Sequence, residues 1–127
     1  MLGFNLLPGA ESAASAIQAE KVRMEVISQN IANANTTNTP DGGPYQRQVV
    51  RFETILKNEF DATNAVHQVR VAGIENDSRP YRQVYQPGHP DADPESGMVK
   101  FPNVNVHEEM ADLISSSRAT EANLAII

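Results

Sequence analysis

Apolar residues recur from Ala10 at alternating intervals of three and four: Ala13, Ile17, Met24, Ile27, Ile31 and Ala34, with Glu20 as the exception. That spacing draws a heptad-like seam along one side of a helix. The positions between, Gln18, Lys21, Arg23, Glu25, Ser28 and Gln29, are polar, as a solvated face requires. The pattern predicts a helix roughly 37 Å long from Ala10 to Ala34. Pro8 and Gly9 mark its start, and the Asn/Thr/Pro cluster from Asn33 to Pro40 marks its end.

The far end repeats the design with Val106, Met110, Leu113, Ser117, Thr120, Leu124 and Ile127, and Ile114 alongside. Asn105 is placed to be the N-cap, Glu108 to close a capping box, and Glu109 to favour the positive end of the helix. "ANLAII" supplies no stop signal, so the pattern predicts a helix that continues beyond Ile127.

Residues 37–104 have a different character. "GPYQRQVVRFET" and "HQVRVAGIEN" alternate (Val50 with Phe52, Val69 with Val71) and predict short strands. "PDGGP" and "YQPGHPDADPESG" are turn chemistry, and every proline except Pro8 falls in this segment. The expected fold class is mainly α with a small β insert. Long N- and C-terminal helices are expected to pack as a coiled-coil-like bundle around a loop-rich, β-containing middle. The expected division is 1–36 for an N-terminal assembly helix, 37–104 for the insert, and 105–127 for a C-terminal assembly helix cut short.

A helix with one apolar stripe does not bury that stripe alone, and each Ile, Leu or Met left exposed forgoes about 1.5–3 kcal/mol. The stripes must meet each other or stripes on other chains. Composition points the same way: 127 residues with no Trp, four Phe and three Tyr leave little for a deep core. The net charge of −6 opposes nucleic-acid binding and gives no polybasic reason to sit on anionic lipid. The absence of cysteine excludes disulfides, thiolate metal sites and Cys nucleophiles. No Lys or Arg precedes Lys21 and the first apolar stretch breaks at Pro8, so no Sec-type signal is expected. No apolar run approaches the roughly 18–20 residues of a membrane span.

Candidate chemistry changes this picture little. In "HPDAD", His89, Asp91 and Asp93 could hold a divalent cation, completed by His67 or His107. Pro87, Pro90 and Pro94 interrupt the stretch and the EF-hand spacing fails, so a Pro/Asp-built turn is the expected use. No GxSxG, HExxH or GxxxxGK[ST] motif is present, so no catalytic residue, metal or cofactor is expected. Ser115, Ser116 and Ser117 are poor helix formers whose small size permits close helix approach, against the alternative of a solvated face. Arg118 can pair weakly with Glu121, or reach a carboxylate on a neighbouring chain. Asn30 interrupts no loop and sits beside Ile31 in the seam. With Asn33 it shares one helical side, and Asn35 can end the helix. Because buried amides need partners, these side chains are expected to satisfy groups on an adjacent chain.

"RMEVISQNIANANT" resembles the N-terminal signature of bacterial flagellar rod and hook proteins, the axial family, in which a helix ends in an Asn-Ile-Ala-Asn run. "TPDGGPYQRQVV", "VYQPGHPDAD" and "GMVKFPNVNVHEEMADLISSSRATEAN" resemble the proximal-rod branch of that family, and the similarity covers nearly the whole chain. Asn30, Ile31, Ala32 and Asn33 match the shared signature. Met110, Ser117, Arg118, Glu121, Ala122 and Asn123 match the C-terminal one, while Thr120 stands where an aromatic is usual.

The resemblance implies a structural subunit of the basal-body drive shaft that spans the periplasm. It implies export by the flagellar type III apparatus without a cleaved signal, and packing of terminal helices from many copies to transmit torque. Its partners would be copies of itself, other rod proteins, and neighbouring basal-body and export components. The expected assembly interface is Ile17, Met24, Ile27, Asn30, Ile31, Asn33 and Asn35 on the first helix. On the second it is Val106, Met110, Leu113, Ile114, Ser117, Arg118, Asn123 and Leu124. The rival readings are another axial member of the distal rod or hook, and a soluble coiled-coil adaptor or export chaperone.

Overall fold

The computed structural model describes residues 7–57 and 66–127. Helix α1 (Leu7–Ala32) is followed by strands β1 (Gln48–Lys57), β2 (Val66–Asn76), β3 (Arg82–Tyr85) and β4 (Met98–Phe101), and then by helix α2 (Val106–Ile126). Two helices thus flank a middle made of two small antiparallel sheets, β1–β2 and β3–β4.

In the first sheet Gln48 pairs with Asn76 and Lys57 with Val66, and the register shifts by one between Arg51 and Phe52. Such a bulge locally strengthens the twist, and the ribbon lies along α1. Val69 donates its N–H to Ser15 Oγ at 3.0 Å, so a serine of α1 satisfies backbone on the free edge of β2.

"YQPGHPDADPESG" is turn and loop from Gln86 to Gly97, as expected, and the second sheet adds two strands at its ends that the sequence did not show. Tyr85 pairs with Met98 and Arg82 with Phe101, so two four-residue strands bracket the loop. Residues Arg82–Tyr85 are exposed at three of four positions, which removes the alternating apolar signal by which strands are read. Gly97 makes the hairpin possible. Its φ of +70° is left-handed, and a Cβ there would lie 2.8 Å from the Tyr85 ring and 3.2 Å from Pro87 Cβ. Gly97→Ala is expected to lower stability by about 1–2 kcal/mol, the cost of a side chain in that conformation, read as a shift in the urea midpoint.

The two helices run antiparallel, since Ser116 meets Glu20 while Glu109 meets Asn30. What they bury is small: Ala13, Ala19, Val26, Ile27 and Ala34 on or just past α1, with Val99 and Val104 nearby. Of the expected α1 seam, Ala13, Glu20, Ile27 and Ala34 are buried, while Ala10, Ile17, Met24 and Ile31 are half-covered. The covered face is therefore rotated away from the Ile17–Met24–Ile31 edge.

On α2 the buried residues are polar, Glu109 and Ser116. One edge of the apolar seam faces out: Met110 is 50% exposed, Ile114 56% and Leu124 58%. Of the same expected seam, Val106, Leu113 and Thr120 are half-covered. Asn105 is the N-cap as expected, its Oδ1 accepting from the N–H of His107 and Glu108. The Glu108 carboxylate, expected to turn back to the cap, accepts from Arg79 instead at 3.2 Å.

Candidate assembly surface and the polar clamp behind it

Why does a helix bury its polar side and show its apolar one? The answer starts at Asn30, which is 1% exposed. Its Nδ2 donates to the Gln48 carbonyl at 2.8 Å and to Glu109 Oε2 at 3.3 Å. Its Oδ1 accepts from the Tyr45 hydroxyl at 2.6 Å and from Gln48 N–H at 3.0 Å. All four bonds stay within the chain, where the sequence reading expected an adjacent one. Asn30 ties the end of α1 to the start of β1 and to α2.

Glu109, wholly buried, receives its counter-charge from Arg47 Nε. The rest of the Arg47 fork reaches Asp77 at 2.9 Å and Asp112 at 3.3 Å, and its backbone N–H donates to Asn103 Oδ1 at 2.7 Å. Asn103 in turn donates to the carbonyls of Asp77 and Arg79. A planar fork that binds three carboxylates is an arginine role that lysine does not reproduce. Burial works against the Arg47 charge, but the hydrogen bonds it donates to Glu109 and then Asp77 outweigh it and raise its pKa.

A second polar contact lies one to two turns further along α2. Ser116 Oγ, fully buried, donates to the Glu20 carboxylate. Arg23 approaches the same Glu20 at 3.5 Å and Asp112 at 3.9 Å. Of the three serines, only Ser116 is buried against α1; Ser115 and Ser117 are exposed. Among the described residues, no buried side-chain polar atom lacks a partner.

Two neighbours carry the pH sensitivity of this clamp. The Arg79 backbone N–H, outweighing the opposing effect of burial, and then the Arg47 and Arg79 side chains hold the Asp77 carboxyl below its ordinary range. Its stabilisation is present above the unfolded carboxylate pKa, about 3.9, and is lost as pH falls through the lower folded value. Tyr45 is the mirror case: burial, then the Glu109 charge, push its hydroxyl up against the opposing effect of Arg47. Its stabilisation is full below the unfolded value of about 10 and is lost as pH rises through the folded one. Asp77→Asn should flatten the acid limb of the urea midpoint against pH, and Tyr45→Phe the alkaline limb.

With Glu109, Asp112, Ser116 and Thr120 turned towards α1, the stripe Met110–Ile114–Ser117–Glu121–Leu124 sits roughly 110° round the helix and faces solvent. Arg118 and Glu121 border a shallow depression with Leu113, Ile114 and Ser117 in it. On α1, Lys21, Met24, Glu25, Ser28 and Gln29 form another open depression.

The remaining expected interface residues divide. Val106 and Leu113 are half-covered and Asn35 is exposed. Asn33 donates to the Gln29 carbonyl at 2.9 Å and accepts from Thr36, extending the helix end. Asn123 donates to the Ala119 carbonyl of its own helix. Glu109 and Arg47 were missed by sequence reasoning. The signal that pointed to them was Asn30, an amide beside the apolar seam that had to find partners.

The "HPDAD" groups are spent in the turn. His89 Nδ1 accepts from the Asp91 N–H at 3.0 Å, Asp91 accepts from Thr37 Oγ1 at 2.6 Å, and Asp93 accepts from the Glu95 N–H at 2.9 Å. Among the described residues no cluster of three His, Cys, Asp or Glu is placed to hold a metal ion, and no helix is long and apolar enough to cross a membrane.

Comparison with known proteins matches both ends of the chain to family models. Residues 11–38 match that of the flagella basal body rod protein, and residues 95–127 that of the flagellar basal body rod FlgEFG protein C-terminal region. The chain is 44% identical to the flagellar basal-body rod protein FlgC of Borreliella burgdorferi, over 91% of this chain and 84% of that protein. It is 40% identical to FlgC of Bacillus subtilis, over 88% of this chain and 82% of the relative. It is 38% identical to FlgC of Salmonella typhimurium, over 91% and 82% respectively.

Proposed function

The chain belongs to the FlgC family of flagellar basal-body rod proteins and is a structural subunit of the flagellum, and on that premise we propose how it builds the rod. It is a proximal-rod subunit that does no chemistry. The segments 1–36 and 105–127 assemble it, while 37–104 brace the two helices against each other. The exposed α2 stripe is the assembly surface, joined by the Ile17–Met24–Ile31 edge of α1 in coiled-coil-like contacts with other rod proteins. The chain reaches its place by the type III export route and transmits torque by packing alone, because close-packed interfaces deform little.

The observation that carries this reading is the orientation of α2. An isolated chain that holds its polar side inward by buried ion pairs and shows Met110, Ile114 and Leu124 to water is built to be covered. Covering the exposed halves of those three side chains is worth on the order of 3 kcal/mol per subunit. A tube needs the contact to be heterologous, one patch on a different patch of the next copy, so that growth stays open.

The test is to purify basal bodies from cells making an epitope-tagged chain. The tag is expected in the rod fraction, and cells lacking the chain should make no rod. A chain found instead as a closed soluble oligomer, with rods intact in its absence, supports the adaptor reading and defeats this one.

A further inference from the structure

The two shallow depressions, one on each helix, carry a charged pair apiece. On α1, Lys21 precedes Glu25 with Met24 between them; on α2, Arg118 precedes Glu121 beside Ile114. All four charged side chains are exposed and none makes an ion pair among the described residues. Lys ahead of Glu by four is also the less favourable order for pairing within a helix. Two depressions, one with Met24 and one with Leu113 and Ile114 as its apolar part, each flanked by one unspent cation and one unspent anion, are therefore available at the surface.

Resting on the assembly role proposed above, we infer that the α2 stripe of one copy seats in the α1 depression of a second copy, antiparallel, with Glu121 facing Lys21 and Arg118 facing Glu25. Charge fixes the direction. A parallel alignment would set Lys21 against Arg118 and Glu25 against Glu121, and like charges brought together across an interface are strongly disfavoured. The fold delivers the same direction independently. Ser116 lies by Glu20 and Glu109 by Asn30, so α1 and α2 are antiparallel within one chain. In an open tube all copies point the same way, so a neighbour's α1 meets this α2 antiparallel. Met24 against Leu113 and Ile114 supplies apolar contact, and the two ion pairs supply register.

Charge reversal tests the pairing. Glu121→Lys alone is expected to reduce incorporation into purified basal bodies at least tenfold, with the melting temperature of the free subunit unchanged. Lys21→Glu combined with Glu121→Lys should restore incorporation to within twofold of the unaltered chain. The pair Arg118→Glu and Glu25→Arg gives an independent second reading. A single reversal without effect, or a double reversal no better than the single one, overturns the pairing. Neither result touches the assembly role of the stripe, which is read separately from whether Ile114 becomes covered in the rod.

Discussion

Replacing Arg47 with methionine is expected to destabilise the isolated subunit by about 3–5 kcal/mol. Glu109 is wholly buried, and among the described residues its only side-chain partner besides Asn30 Nδ2 at 3.3 Å is the Arg47 guanidinium. Removing the cation leaves a carboxylate with neither water nor counter-charge, and that uncompensated charge is where the cost arises. Asp77 keeps Arg79 and Asp112 keeps Arg23, so the damage centres on Glu109. For a domain whose whole stability is about 5–15 kcal/mol, this is a large fraction.

The double variant Arg47→Met with Glu109→Leu should recover most of the loss, because a buried ion pair is often no more stabilising than the apolar residues that replace it. Arg51→Ala is the contrasting control. Its pair with Glu75 is 63% and 55% exposed, and its loss should cost under about 1 kcal/mol. Urea unfolding of the three variants beside the unaltered chain measures all of this. An Arg47→Met midpoint within the range of Arg51→Ala would show that the clamp does not hold α2.

The second large effect falls on assembly and not on stability. Ile114→Asp should leave the free subunit within about 0.5 kcal/mol of its original stability, as surface substitutions do. The same change should abolish rod incorporation and motility. Ile114 is 56% exposed in the isolated chain, so the new carboxylate keeps its water there. In an assembled interface it would have to surrender that water without a partner. Ile27 is not an equivalent probe: at 4% exposure, an aspartate there would unfold the chain before assembly was tested. Export of Ile114→Asp into the medium alongside absent rods is the expected phenotype. Normal swimming would count heavily against the stripe.

The helices were legible because their signals are local. The seam from Ala10, the Asn105 cap and the alternation at Val50–Phe52 and Val69–Val71 each lie within a few residues. The strands Arg82–Tyr85 and Met98–Phe101 were not legible: the first is exposed at three of its four positions and shows no alternation, and the second is only four residues long. Which face of α2 turns inward was hidden for another reason. Glu109 beside Glu108 reads as ordinary acidic decoration of a helix start. Its partner Arg47 lies 62 residues away, and Ser116 and Glu20 are 96 apart.

Glu20, the exception in an apolar seam, and Asn30, the amide beside Ile31, were the two places where the pattern broke. Both proved to be the α1 halves of polar contacts to α2. Local pattern located the stripes, and only the long-range polar contacts decided which of them the chain keeps for itself.

The absence of cysteine from the chain makes the central claim directly measurable. A single Ile114→Cys variant can be labelled with a water-soluble maleimide, once as the free subunit and once within purified basal bodies. Labelling is expected to be rapid in the free subunit and at least tenfold slower in the rod, with an Asp91→Cys control on the exposed hairpin loop labelling the free subunit as rapidly. Equal labelling of the introduced thiol on the stripe in both states would contradict the claim.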